Sequence, residues 1–253
     1  MRLVVTTTLR ATDVEHARVS RVAALLGAPA VPRPGLDLRR LFDQGGRAYI
    51  VTRDRDELRD ARRSLTVHAG LLKTRLHPGV SHPLIRALAP DGRASRVVDG
   101  TLGLAGDALH VAGALGCEVL GVELSTPLYC LLEEGLARLS REPEPVGACA
   151  RAIRLRHGDT TEVLAELPAD SADAVLLAPM YLTPDRAQPG FGLLREQAVH
   201  GQLTGLQIER ALRVAPRLVV KWPRGEPPPG DAGLHDKLTR LSGKAVDYWV
   251  LTR

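Results

Sequence analysis

Three carboxylates set around a run of small residues carry the first chemistry this 253-residue chain offers. In Val97-Val98-Asp99-Gly100-Thr101-Leu102-Gly103-Leu104-Ala105-Gly106-Asp107 a β-branched run, a small-residue turn and an amphipathic segment follow one another. That order predicts strand, loop and helix, with loop backbone free to approach a ligand. A second apolar run, Val119-Leu120-Gly121-Val122-Glu123, ends in a carboxylate 24 positions after Asp99. At the tip of a neighbouring parallel strand, such a carboxylate accepts both hydrogen bonds of a ribose diol. Its bland alternative is an exposed residue ending a strand.

An adenosine-bearing ligand is therefore expected, and Asp107 narrows its class. At the head of a helix Asp107 repels a diphosphate, whereas the cationic ammonium and sulfonium of S-adenosylmethionine suit both Asp99 and Asp107. Gly100, Gly103 and Gly106 let the backbone close in. Asp107 also reads as an ordinary helix N-cap. Asp159, after Ile153-Arg154-Leu155-Arg156-His157-Gly158 and before Thr160, either accepts an adenine amino group or caps the next helix. Lys221 ends the apolar run Arg217-Leu218-Val219-Val220, where it meets an anionic substrate, a cofactor-site carboxylate or solvent.

The elements that must position these residues alternate regularly. Helices are expected at 82 to 89, 106 to 115, 126 to 140, 160 to 167 and 203 to 214, with strands at 95 to 99, 117 to 123, 152 to 156, 172 to 178 and 217 to 222. This alternation implies right-handed crossovers in a doubly wound, mostly parallel α/β sheet. A helix near 233 to 241 and a strand at 245 to 251 follow, the C-terminal strands forming an antiparallel edge. Residues 1 to 64 read as a small α/β subdomain with a helix at 13 to 26 and a strand at 48 to 52, and residues 65 to 253 as the ligand-binding domain. Arg53, Arg55, Arg59, Arg62, Arg63, Lys73 and Arg75, interleaved with acids, read as a solvated helix with i,i+4 pairs or as a phosphate-tracking face.

Composition trims the alternatives. The net charge of +5 favours an anionic partner, but an aromatic share of 3% argues against a broad base-stacking platform. Cys117, Cys130 and Cys149 lack metal-ligand spacing, so neither a zinc site nor a disulfide framework is expected. No apolar run reaches the roughly 18 residues of a membrane span. Leu3-Val4-Val5 is too short for a signal-peptide core. A cytoplasmic protein is expected.

Taken together, Asp99 to Asp107, Gly121-Val122-Glu123, His157-Gly158-Asp159-Thr160, Leu177-Ala178-Pro179-Met180-Tyr181 and Val219-Val220-Lys221-Trp222-Pro223 resemble the class I methyltransferases related to the J-type small-subunit ribosomal RNA guanine-N2 methyltransferase. Val4-Val5-Thr6-Thr7 and Leu76-His77-Pro78-Gly79 extend the resemblance over nearly the whole chain. It implies a seven-stranded Rossmann-like core, with S-adenosylmethionine near Gly106 and Asp107, its ribose near Glu123 and Leu124, and its adenine near Asp159 and Thr160. His77 and His82 would then flank a loop across the cofactor mouth.

One position departs from the pattern. Where the family has Asp-Pro-Met-aromatic, this chain has Ala178-Pro179-Met180-Tyr181. The missing oxygen would hold the target amine in line with the methyl group. Pro179 still stiffens the turn, and Tyr181 either stacks on a flat base or packs. The leading expectation is methylation of RNA, the resemblance implying a ribosomal guanine, with Ala178, Pro179, Tyr181 and Lys221 at the reacting end. The alternatives are a cofactor-binding protein with lost activity and a methyltransferase of small molecules or proteins. Whether another carboxylate, such as Asp185, replaces the missing one is left open by the sequence.

Overall fold

The computed structural model describes residues 3–70, 72–179, 191–197, 203–227 and 237–253. Strands are β1 (Leu3–Thr7), β2 (Arg47–Val51), β3 (Glu57–Arg59), β4 (Ser64–Leu65), β5 (Arg96–Asp99), β6 (Glu118–Glu123), β7 (Ile153–His157), β8 (Ala174–Leu177), β9 (Arg217–Pro223), β10 (Thr239–Ser242) and β11 (Val246–Thr252). Helices are α1 (Asp13–Leu26), α2 (Leu38–Asp43), α3 (Leu72–Leu76), α4 (Pro83–Leu88), α5 (Gly106–Leu115), α6 (Thr126–Leu139), α7 (Val146–Arg151), α8 (Thr160–Glu166), α9 (Phe191–Gln197) and α10 (Gly205–Val214).

The larger sheet has seven strands in the order β10-β11-β9-β8-β5-β6-β7. Chain order runs outward from β5 through β6 to β7, then returns to place β8 on the other side of β5, with all these neighbours parallel. The switch point between β5 and β8 opens a crevice at the carboxyl ends of the strands, where ligands bind in such sheets. Strands β5 and β8 are buried on both faces, which explains Val97-Val98 and Ala174-Val175-Leu176-Leu177 as unbroken apolar runs. Alternation divides them: Val97, Val119, Leu176 and Val219 pack with α4, α5 and α6, while Val98, Val122, Val175 and Val220 pack with α8 and α10. Lys221 lies in step with Val219, on the α5 face. As expected, β11 is antiparallel to β9 and closes the edge with β10.

The smaller sheet, β1-β2-β3-β4, starts with parallel β1 and β2 joined through α1, then extends antiparallel to Leu65. Val5, Tyr49, Leu58 and Leu65 share one apolar core with residues of α5 and α6. A polar latch reinforces that contact. Arg18 of α1 donates to Asp56 at 2.5 Å, the Asp56 amide donates to Glu134 of α6, and Arg21 pairs with Glu133. Burial outweighs Arg18 and pushes the Asp56 carboxyl up to about 6.

Two expectations change here. The basic stretch from Arg53 to Arg75 is not a helix: β3, β4, the turns around them and α3 occupy it. Pairing with β2 overrides the local charge pattern. The expected helix at 233 to 241 gives way to β10 from Thr239 onward, whose backbone pairs with β11; the residues before 237 lie outside those described. No helix among the described residues is long and apolar enough to cross a membrane.

Candidate active site

Asp99 ends β5 with 2% of its surface exposed, and its carboxylate accepts the Thr101 amide at 3.1 Å. Thr101 in turn ties the loop across the switch point, its hydroxyl accepting the Ala178 amide at 2.5 Å. Thr160 donates to the Gly100 carbonyl from the head of α8. Gly100 is required by space: a Cβ there would lie 2.5 Å from Thr160 Cγ2 and 2.6 Å from Leu177 Cδ2. Gly103 is required by backbone, with φ at +58°. Ala105 adopts φ of +60° without being glycine, a strained conformation at the mouth of a turn that leads into α5.

Glu123 points inward. It is 7% exposed and accepts the amides of Gly103 at 3.0 Å and Ser125 at 2.8 Å, so β6 holds the small-residue loop through this carboxylate. Burial pushes its carboxyl up to about 7 against those backbone donors. A carboxylate has about four acceptor positions, so room remains for ribose hydroxyls. Leu124 beside it exposes its apolar side chain. Asp159 caps α8, its Oδ1 accepting the Thr161 amide at 2.7 Å and the Glu162 amide at 3.3 Å. The capping reading is thus realised, and Oδ2 makes no hydrogen bond among the described residues.

Asp107 differs most from expectation. It is not the N-cap, a position held by Ala105, and it is already engaged. Lys221 Nζ reaches Asp107 Oδ2 at 2.5 Å and Arg75 Nη1 reaches Oδ1 at 2.9 Å. Burial opposes its charge, but Lys221 and Arg75 prevail and hold the carboxyl near 2. Asp99 fares the opposite way: burial and then Asp107 push it up to about 7. Lys221 therefore meets a carboxylate of the loop–helix junction rather than solvent.

His82 caps α4 through Nδ1, 3.2 Å from the Leu84 amide, and meets His110 edge-on with ring centroids 4.4 Å apart. His110 is fully buried, and burial followed by His82 and Arg75 brings it down to about 4. His77 is exposed. Pro179 follows Ala178 at the end of β8, whereas Met180, Tyr181 and Asp185 lie outside the described residues. Sequence reasoning missed Arg75 as a site residue because it stood inside a charge run. It also missed His110, whose only signal was a polar residue within the apolar face of α5.

The group these residues suit is cationic. Asp99, Asp107 and Glu123 set three carboxylates against Arg75 and Lys221. Burial first and Asp107 second raise the Asp99 carboxyl. A ligand that carries cationic centres beside polar hydroxyls suits such a set of carboxylates. No group of three or more metal-ligating side chains occurs among the described residues.

Fold and site define an S-adenosylmethionine-dependent methyltransferase. The chain belongs to the family described as putative SAM-dependent methyltransferase, which it matches over residues 52–240. It is 33% identical over 181 residues to the ribosomal RNA small subunit methyltransferase J of Rhodopseudomonas palustris (strain HaA2), covering 67% of this chain and 78% of that one. It is also 33% identical over 144 residues to the uncharacterized protein YpiP of Bacillus subtilis (strain 168), spanning 56% of each. The crystal structure of the SAM-dependent methyltransferase NGO1261 from Neisseria gonorrhoeae has the same fold, with a TM-score of 0.69 at 20% identity over 98% of this chain and 95% of that one.

Proposed function

We propose that this methyltransferase acts on RNA, at the exocyclic N2 of a guanine in small-subunit ribosomal RNA. The observation that carries the reading is the match over 78% of the length of a relative named as a ribosomal RNA small subunit methyltransferase. The net charge of +5 agrees with a polyanionic substrate.

S-adenosylmethionine supplies an already activated methyl group, so the protein's task is alignment rather than nucleophile generation. Asp99, Gly103, Gly106, Asp107, Glu123, Leu124, Asp159 and Thr160 form the cofactor side. Thr101 joins that side to the acceptor side by holding the Ala178 amide. Ala178 offers no side-chain oxygen, so the target amine is oriented by main chain at Ala178-Pro179 and by stacking on Tyr181. Lys221 fixes Asp107 and thereby the cationic half of the cofactor.

Incubation with tritiated S-adenosylmethionine and ribosomal subunits, followed by separation of RNA, protein and small molecules, tests the assignment. Label is expected in the RNA of the small subunit, in nucleosides that co-migrate with N2-methylguanosine. Label confined to protein or small molecules overturns the substrate. Absence of S-adenosylhomocysteine binding by calorimetry at millimolar concentration overturns the cofactor site.

A further inference from the structure

A second charged concavity lies away from the cofactor crevice, between the start of β2, the turn from β3 to β4, and α9. It has a volume of about 530 Å³, within the roughly 300–1,000 Å³ typical of small-ligand sites. Arg47, Arg62 and Arg63 line it together with Asp60 and Glu196.

These charges are not mutually satisfied. Asp60 is consumed locally: Oδ1 accepts the amides of Arg62 and Arg63, and Oδ2 accepts Arg63 Nε at 2.8 Å and Nη2 at 2.5 Å. Glu196 then faces both Arg47 and Arg63, the latter at 2.9 Å. The Arg47 side chain is only 8% exposed, yet its Nη2 bond to Glu196 is its one hydrogen bond among the described residues. A guanidinium carries five N–H donors, so Glu196 engages only part of Arg47. Arg62 is exposed and makes no side-chain ion pair among the described residues.

Glu196 itself is 43% exposed and is held by nothing but these two arginines among the described residues. It occupies the arginines as a removable acceptor would. Phe42 and Ala61 add an apolar flank, which a ribose or base can rest on and an isolated anion does not need.

We propose that this cleft takes a phosphodiester of the RNA substrate, with Arg47, Arg62 and Arg63 replacing Glu196 by phosphate oxygens and Phe42 flanking the adjoining nucleoside. Guanidinium forks suit that anion because they present parallel donors to two oxygens at once. The inference rests on the RNA reading above.

The test is fluorescence anisotropy of a labelled single-stranded RNA against the full chain at several salt concentrations, with S-adenosylhomocysteine calorimetry as the check on folding. Arg62→Glu is expected to weaken RNA binding about tenfold and to reduce the salt slope by about one. Glu196→Gln is expected to tighten binding severalfold, an outcome that a purely structural ion pair does not produce. Retained cofactor binding with RNA affinity unchanged in both variants overturns this inference and leaves the RNA assignment standing. A wild-type protein that binds no RNA overturns both. Inorganic phosphate that binds in millimolar titrations and is lost in Arg62→Glu, while RNA affinity is untouched, reassigns the cleft to the free ion and overturns the phosphodiester.

Discussion

Replacing Lys221 by methionine tests the electrostatic design of the cofactor crevice. The substitution keeps the aliphatic stem and deletes the charge that lies 2.5 Å from Asp107 Oδ2. Lys221 and Asp107 expose only 21% and 17% of their side chains, so the carboxylate left behind is poorly solvated. Stranding one member of a fully buried pair costs about 3–5 kcal/mol. Arg75 stays at 2.9 Å and is about one-third exposed, which lowers the expected loss to about 1–3 kcal/mol. For a chain of this size that is a fall in Tm of several degrees.

The pH dependence of that deficit follows from Asp107. Its folded pKa lies below the usual carboxylate value, so its contribution is present above about pH 4 and disappears as pH falls toward 2. Urea unfolding should therefore show the largest gap between wild type and Lys221→Met at neutral pH, closing on acidification. Adding Asp107→Asn should recover part of the loss, because it removes the stranded charge, and the double-mutant cycle isolates the pair from the other contacts of Lys221. Equal stability of wild type and Lys221→Met at pH 7.5, or no recovery in the double variant, would refute the reasoning.

Three further outcomes are expected. In the proposed ribose role Glu123 acts as an ionised acceptor, and its pKa is raised to about 7, so S-adenosylhomocysteine affinity should fall by up to tenfold per pH unit below 7; calorimetry from pH 5.5 to 8.5 checks this, and a flat profile counts against it. Gly100→Ala forces a methyl against Thr160 and Leu177 and should cost about 1–3 kcal/mol with weaker cofactor binding, read by thermal melts and calorimetry. Ala178→Asp restores an acceptor at the end of β8 and should raise kcat for RNA methylation about tenfold or more at similar KM; an unchanged single-turnover rate would show that another group already holds the amine.

What was legible in the sequence, and what was not, divides along one physical line. Asp99, the glycine turn and Glu123 were legible because strand, loop and helix each leave a local signature, and the parallel register then brings β5 and β6 together. The same logic located α5, α6 and β9 to within a residue or two. β3 and β4 were hidden because three- and two-residue strands amid charges have no periodicity of their own and exist only by pairing, β3 with β2 and β4 with β3. Arg75 was hidden for a related reason: its role depends on a carboxylate 32 positions away, which only the packing of α3 against α5 brings within reach.

Both charged sites draw on the single basic stretch that sequence treated as one surface. Arg75 goes to Asp107 in the first turn of α5, Arg62 and Arg63 go to the cleft beside α9, and no helix face unites them. A charge run therefore marks where cations are concentrated, while the strand pairings decide which anions they meet. If both assignments hold, Lys221→Met and Arg62→Glu should fail differently, the first through stability and the cofactor crevice and the second through RNA affinity alone. A shared defect would mean that the two sites are one electrostatic unit.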